Sequence, residues 1–276
     1  MALSDNCTIY WKLEDLTDAV GSNSLTNTGM TGSVTGIIDN GYSGADGGDY
    51  LTSGDIGESS YANWSISLWW KPGTTYTGDV GYRYVWQIGD GASDRFQLIT
   101  NGKDGTSGLV MYYTHGGGDN WTPLGDSSTT TTTWTSGNWY HIVCTYDGTN
   151  YKVYVNGSLE TTEADSNMGW SNLATDDGLT FNTYGVTPAT ANGFNAVYDE
   201  IGVWTRDLSS TEVSELYNSG SPGTAQQYPF TTPTNIQLNI GDAWKTVDGL
   251  KINIGDVWKD VAGMQINIGD AWKTIF

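Results

Sequence analysis

The stretch Trp139–Glu160, WYHIVCTYDGTNYKVYVNGSLE, decides the fold of this chain. An apolar run reaches the turn cluster Tyr146-Asp147-Gly148-Thr149-Asn150. Beyond it Tyr151, Val153 and Val155 alternate with Lys152 and Tyr154, and a period of two lays one face of a strand on a core. Asn156-Gly157 then supplies a two-residue hairpin turn, because a type I′ turn needs positive φ at both central positions. The stretch therefore predicts strand, turn, strand, tight turn, strand, which is two antiparallel hairpins in succession.

Working outward, the same grammar recurs on both sides. Trp64-Ser65-Ile66-Ser67-Leu68-Trp69-Trp70 alternates serine with apolar residues and predicts a half-buried strand, ended by Lys71-Pro72-Gly73. Thr8–Leu13, Tyr82–Ile88, Phe96–Ile99, Leu109–Tyr113, Leu179–Tyr184 and Ala196–Trp204 read as further strands. One helix is expected. Ser209 and Glu212 form a capping box, Val213, Leu216 and Tyr217 make an apolar face, and Gly220 is the stop. With 37 glycines and few prolines among 276 residues, many short strands on Gly-rich turns are the economical reading.

Eleven basic against 31 acidic residues leave a net charge of −20, which repels nucleic acid and anionic membranes and is compatible with neutral glycans and with cations. Cys7 and Cys144 fall in strand-like segments and are expected as buried free thiols rather than a disulfide framework. No signal-peptide pattern opens the chain and no apolar run approaches the roughly 20 residues of a membrane span, so synthesis in the cytoplasm is expected.

Four segments carry a family resemblance: YWKLEDLTDAVGSNSLTNTG from Tyr10, SISLWWKPG from Ser65, the opening stretch from Trp139, and YDEIGVWTRDLSSTEVSELYNSG from Tyr198. In order and spacing they resemble a concanavalin A-like lectin/glucanase domain of the laminin-G-like type. The resemblance implies an all-β, two-sheet antiparallel jelly-roll sandwich with one short helix, whose relatives mostly bind glycans or proteins and in a minority are glycosidases. It also implies a calcium ion joining the loop after the first strand to the acidic strand before the helix. The matching positions are Asp18, with the Gly21–Asn23 backbone, and Asp199.

Catalysis is not expected. A retaining glycosidase needs two carboxyl groups about 5–5.5 Å apart. The glucanase E-x-D-x-x-E pattern is absent, and Asp199-Glu200 are adjacent, so a regular strand would send them to opposite faces. His115 and His141 have no nucleophile-and-acid set beside them. Glycan binding is expected instead, because sugar C–H faces stack on aromatic rings while polar groups fix their orientation. The loop candidates are Tyr82, Tyr84, Tyr113, His115, Asp119, Asn120 and Trp121, the glycines of His115–Trp121 permitting close approach.

The expected organisation is a jelly roll over residues 1–220, a linker over 221–234 holding three of the six prolines, and a module over 235–276. That module is an internal repeat: NIGDAWKTV from Asn239, NIGDVWKDV from Asn253 and NIGDAWKTI from Asn267. It predicts a small C-terminal β-hairpin module in which Trp244, Trp258 and Trp272 recur in register. The tail resembles tandem repeats at the ends of bacteriophage virion proteins. The expectation is therefore a non-enzymatic virion surface protein, a homo-oligomer. Its lectin-like domain would face glycans or a host surface, and its tail would serve assembly or anchoring on other virion proteins. The alternative is a carbohydrate-binding module of a bacterial surface or secreted protein.

Overall fold

In the computed structural model of the chain, the described residues are 1–230, apart from 46–47, 79, 90–94, 101–106, 116–117, 124–128, 165–166, 174–177, 185–191 and 222–224, and six strand segments beyond 235. For 114–115, 118–123 and the strands beyond 235 the description is of backbone alone. Two compact units result, Met1–Phe230 and Thr231–Phe276.

The first unit begins with β1 (Cys7–Trp11), β2 (Thr26–Thr28), β3 (Thr31–Thr35), β4 (Asn40–Gly44) and β5 (Tyr50–Thr52). It continues with β6 (Trp64–Pro72), β7 (Tyr76–Thr77), β8 (Tyr84–Gly89), β9 (Arg95–Thr100), β10 (Leu109–His115) and β11 (Gly118–Pro123). Then come β12 (Thr133–Trp134), β13 (Tyr140–Tyr146), β14 (Asn150–Val155), β15 (Ser158–Ala164), β16 (Leu179–Phe181), β17 (Ala196–Trp204) and the helix α1 (Ser210–Tyr217).

One sheet runs β15-β14-β13-β6-β17-β4-β3, with β1 also on β17; the other runs β11-β10-β9-β8-β16-β5-β2. Every pairing is antiparallel, and the two sheets form a sandwich in which sequence neighbours are often separated in space, as in a jelly roll. The core between them is aromatic and aliphatic. Trp64, Ile66, Leu68 and Trp70 come from β6, and Trp86, Ile88, Leu98 and Met111 from the opposing sheet.

The deciding stretch folds as read. Asp147 Oδ1 accepts from Thr149 N at 3.0 Å and Asn150 N at 2.8 Å, closing the β13–β14 turn. Asn156 and Gly157 have φ of 51° and 78°, the left-handed pair a type I′ turn requires, between β14 and β15. The capping box is present, with Ser209 N donating to Glu212 Oε2 at 2.9 Å and Glu212 N to Ser209 Oγ at 3.3 Å. Cys7 and Cys144 are free and buried.

Two features differ from expectation. First, β6 is buried on both faces rather than one. Its outer side is covered by α1 and neighbouring segments, where Val213 and Leu216 join Val143, Tyr154 and Trp204 in a second apolar cluster. Its serines are therefore buried with partners: Ser65 Oγ donates to Arg206 O at 2.8 Å and accepts from Leu208 N at 2.9 Å. Second, the first unit extends to Phe230, ten residues past the expected end of the jelly roll. Tyr228 and Phe230 pack on Tyr10 and Trp204, and the Phe230 ring lies 5.3 Å from Tyr10 and 6.0 Å from Trp204. Part of the Pro-rich segment read as linker thus closes the outer cluster.

His141 lies in that outer layer. Its Nε2 shares a 2.8 Å hydrogen bond with Ser67 Oγ, and its ring lies 4.8 Å from Trp69 and 6.1 Å from Tyr217. Burial lowers its pKa from 6.5 to about 3. Because the folded value is depressed, its stabilising contribution is full above pH 6.5 and is lost as pH falls from 6.5 toward 3. At pH 4 the loss is about 3 kcal/mol, at ~1.36 kcal/mol per pH unit. Urea titrations at pH 7 and pH 4 should show a smaller acid loss in His141→Gln than in the natural chain. Equal losses would show that this imidazole does not drive the effect.

The described residues of the second unit form three antiparallel strand pairs: β18 (Ile236–Asn239) with β19 (Trp244–Val247), β20 (Lys251–Ile254) with β21 (Val257–Asp260), and β22 (Gln265–Ile268) with β23 (Ala271–Thr274). Asn239 pairs with Trp244, Asn253 with Trp258 and Asn267 with Trp272, so the repeats share one register. Among the described residues no helix is long and apolar enough to cross a membrane.

Candidate functional site

Strands β8, β9 and β10 lie side by side, and the period of two sorts their side chains. On the core side Trp86 pairs with Leu98 and Leu98 with Met111, while Ile88 pairs with Phe96 and Phe96 with Tyr113. The intervening positions belong to the other side: Tyr84 pairs with Ile99 and Ile99 with Val110, and Gln87 with Gln97 and Gln97 with Tyr112. Tyr84, Ile99, Val110 and Tyr112 form a cluster separate from the core, with half-buried Tyr184 against it. A register shift between Tyr84 and Trp86 is what lets both Val85 and Trp86 face the core while Tyr84 stays outside.

This outer face combines rings, amides and one cation. The Tyr84 and Tyr184 rings lie 5.2 Å apart at 54°. The Arg95 guanidinium sits 5.2 Å from the Tyr184 ring and 5.8 Å from that of Tyr112, within cation–π range of both. Gln97 Nε2 donates to Gln87 Oε1, and Gln87 Nε2 donates to Gly89 O at 3.2 Å. Burial, then the neighbouring Tyr184, pushes the Tyr84 phenol up to about 12, so it keeps its proton and can donate at any physiological pH.

The supports of this face are specific. Arg83 precedes β8; its N donates to Thr100 Oγ1 at 2.8 Å and its Nη1 to Gly193 O at 2.7 Å. Asn182, with φ of 70°, turns the chain after β16. Its Oδ1 accepts from Phe194 N at 2.6 Å and Tyr198 Oη at 3.2 Å, and its Nδ2 donates to Asp49 O at 3.0 Å. Tyr184 follows two residues later and is thereby aimed at Tyr84 and Arg95.

Of the residues expected to bind glycan, Tyr84 is in this cluster and Tyr82 is exposed just before it. Tyr113 is not part of the face: it lies on the core side, stacked on Phe96 with centroids 5.9 Å apart. Neighbouring Tyr112 occupies the outer position instead, because successive residues of a strand alternate. His115 ends β10 opposite Gly118, and Asp119, Asn120 and Trp121 lie in β11, the edge strand of the same sheet. The side chains of these four lie outside the described residues. Arg95, Gln87, Gln97, Tyr112 and Tyr184 were not singled out from sequence. The alternation in Arg95-Phe96-Gln97-Leu98-Ile99 was the available signal, since it opposes polar to apolar residues.

The two aspartates expected at a calcium site do not share a partner. Asp18 Oδ1 accepts from Tyr10 N at 3.0 Å and Val20 N at 2.9 Å, and its Oδ2 from Asn23 N at 3.2 Å. Asp199 Oδ2 accepts from Ile37 N at 2.7 Å and Ile38 N at 3.2 Å, and its Oδ1 from Glu200 N at 3.0 Å. N–H donors aimed at every carboxylate oxygen give both aspartates a loop-closing role. Among the described residues no group of three or more His, Cys, Asp or Glu could hold a metal ion. Asp199 and Glu200 sit at a bulge of β17, Glu200 with φ of 47°, and both are fully buried. Burial and the adjacent Glu200 raise Asp199 to about 9, and burial raises Glu200 to about 8. They are not an accessible acid–nucleophile pair.

Comparison with known proteins agrees with this architecture. The sequence model of the concanavalin A-like lectin/glucanases superfamily matches residues 45–214. Domain 4 of AbnA, a GH43 extracellular arabinanase of Geobacillus stearothermophilus solved in complex with arabinotriose, superposes with a TM-score of 0.56. It is 20% identical, over 76% of this chain and 97% of that one. The binding domain of Paraclostridial Mosquitocidal Protein 1 gives a TM-score of 0.56 at 14% identity, over 99% of this chain and 74% of that one. A Trypanosoma rangeli sialidase mutant displaying trans-sialidase activity gives 0.55 at 12% identity, over 79% of this chain and 33% of that one. No curated protein matches the sequence. Identities this low speak for the fold alone, but the family match spans more than half of the chain: the chain belongs to the concanavalin A-like lectin/glucanases superfamily.

Proposed function

We propose that the outer face of the second sheet binds neutral carbohydrate, and that the chain is a non-enzymatic adhesion protein carried on the surface of a bacteriophage particle. The observation that carries the binding reading is the Tyr84–Tyr184 pair beside Arg95, next to the Gln87–Gln97 amides. The reachable rings offer stacking surface to sugar C–H faces, while buried Arg95, within cation–π range of Tyr184, holds that ring in place from behind. Half-buried Tyr184 and exposed Tyr82 are the rings a ligand reaches first. The arabinotriose-bound domain of the same fold supports a sugar as the ligand class. The buried, backbone-bonded state of Asp199 supports binding over hydrolysis.

The particle setting rests on the repeat tail. The alternative, a carbohydrate-binding module of a bacterial surface or secreted protein, shares the binding face and differs in where the chain is found. Mass spectrometry of purified particles separates the two: absence of the chain would remove the virion reading. For the binding face, a glycan array should return at least one neutral oligosaccharide. Tyr82→Ala should weaken that binding about tenfold, the ~1.4 kcal/mol of one lost stacking contact, with the thermal midpoint unchanged, and Tyr184→Ala should weaken it at least as much while also lowering the midpoint, since its ring packs on Tyr84 and Arg95. An array with no binder would defeat the proposal.

A further inference from the structure

Each hairpin of the second unit has four residues per strand and, among the described residues, pairs only within itself. A lone two-stranded hairpin is at best marginally stable in water. Its unpaired N–H and C=O groups are templates for another strand. Three such units in one register repeat that demand three times along one short segment.

Charge indicates what can meet it. Residues 1–230 carry seven basic and 26 acidic side chains, whereas residues 231–276 carry four lysines and five aspartates. Two copies of the first unit repel, while the tail is close to neutral and mixes both signs. Lys251 stands opposite Asp260 in the register, so a like sequence brought alongside offers opposite charges at neighbouring positions. A tail built to dock on a strongly basic or acidic partner would itself be strongly charged.

We infer that the three hairpins are a self-association surface, whose strands pair with the same repeats in other copies of this chain. Identical copies supply matching edges in a matching order. Engagement of one repeat raises the effective concentration of the next two, so weak hairpins hold collectively. Closure into a ring would leave no edge exposed. This inference does not depend on carbohydrate binding and can fail separately from it.

Light scattering coupled to size exclusion tests it on three proteins: the full chain, a chain ending at Phe230, and the full chain carrying Leu238→Pro, Ile252→Pro and Ile266→Pro together. The cut is placed at Phe230 because Tyr228 and Phe230 belong to the first unit. The prolines fall at equivalent positions of β18, β20 and β22 and remove a backbone donor from each. The expected result is a mass of two or more times 29.8 kDa for the full chain and a monomer for both variants. A monomeric full chain at micromolar concentration would overturn the inference. So would a proline variant that keeps the full oligomer, since the contact would then lie outside the repeats. If the shortened chain does not fold, the proline variant alone decides.

Discussion

Replacing Arg206 by alanine is expected to lower the unfolding free energy by about 3–5 kcal/mol, the usual cost of leaving a buried charge without its partner. Arg206 Nη2 donates to Glu212 Oε1 at 2.7 Å and Nη1 to Glu212 Oε2 at 3.1 Å, a two-pronged pair with both side chains 8% exposed. The same guanidinium donates to the carbonyls of Asp5 at 2.8 Å and Ala2 at 3.0 Å. It thus ties the N-terminal segment to the start of α1. Glu212 is also the carboxylate of the capping box, so losing Arg206 strands a charge and loosens the cap together. A lysine cannot reproduce the planar fork, and Arg206→Lys should recover less than half of the loss. The double variant Arg206→Ala/Glu212→Ala should be less destabilised than the two single losses added, because no orphaned charge remains. Urea denaturation followed by far-ultraviolet circular dichroism reads Arg206→Ala, Arg206→Lys, Glu212→Ala and the double variant against the natural chain. A loss below about 1 kcal/mol for Arg206→Ala, the surface-pair range, would mean the bridge is not part of the stable structure.

Neither Arg206 nor its role was visible in the sequence, and the reason is general. Periodicity, turns and caps are local: Asn156-Gly157, the alternation of Tyr151–Val155 and the Ser209/Glu212 box each require only neighbouring residues, and each fold feature they predict is present. Arg206 acquires its meaning from Ala2 and Asp5, some two hundred residues away. The candidate site divides along the same line. Tyr84 is legible as a loop aromatic, but its partners Arg95, Tyr112 and Tyr184 come from three other segments, brought together by strand order. Tyr113 was named in place of Tyr112 because a one-residue choice of face depends on which side of the sheet meets the core. The end of the first unit was missed for a related reason. Proline and glycine mark where regular structure stops, while Tyr228 and Phe230 pack as irregular chain on Tyr10 and Trp204.

Truncating Trp64 to alanine is the other large loss expected, about 4 kcal/mol within the range for a buried tryptophan. Trp64 opens β6 and is fully buried. Its ring stacks on Trp170 at 4.7 Å and 14°, meets Trp86 edge-on at 5.9 Å, and lies 6.3 Å from Tyr146. Its Nε1 donates to Met168 O at 2.7 Å. The substitution opens a cavity between the two sheets and removes the donor to a buried carbonyl, and surrounding rings are too large to collapse into the gap. Trp64→Phe keeps most of the stacking and loses the hydrogen bond, so about 1–2 kcal/mol is expected, mostly from the carbonyl left without a donor. Trp86 precedes Gln87 on β8, the strand that also carries Tyr84, so the cavity lies directly behind the candidate face. Trp64→Ala should therefore weaken carbohydrate binding as well as stability, whereas Trp64→Phe should leave binding within twofold. Chemical denaturation and binding measured on the same samples check both halves. A Trp64→Ala protein as stable as the natural chain would mean that the two sheets do not meet through this cluster.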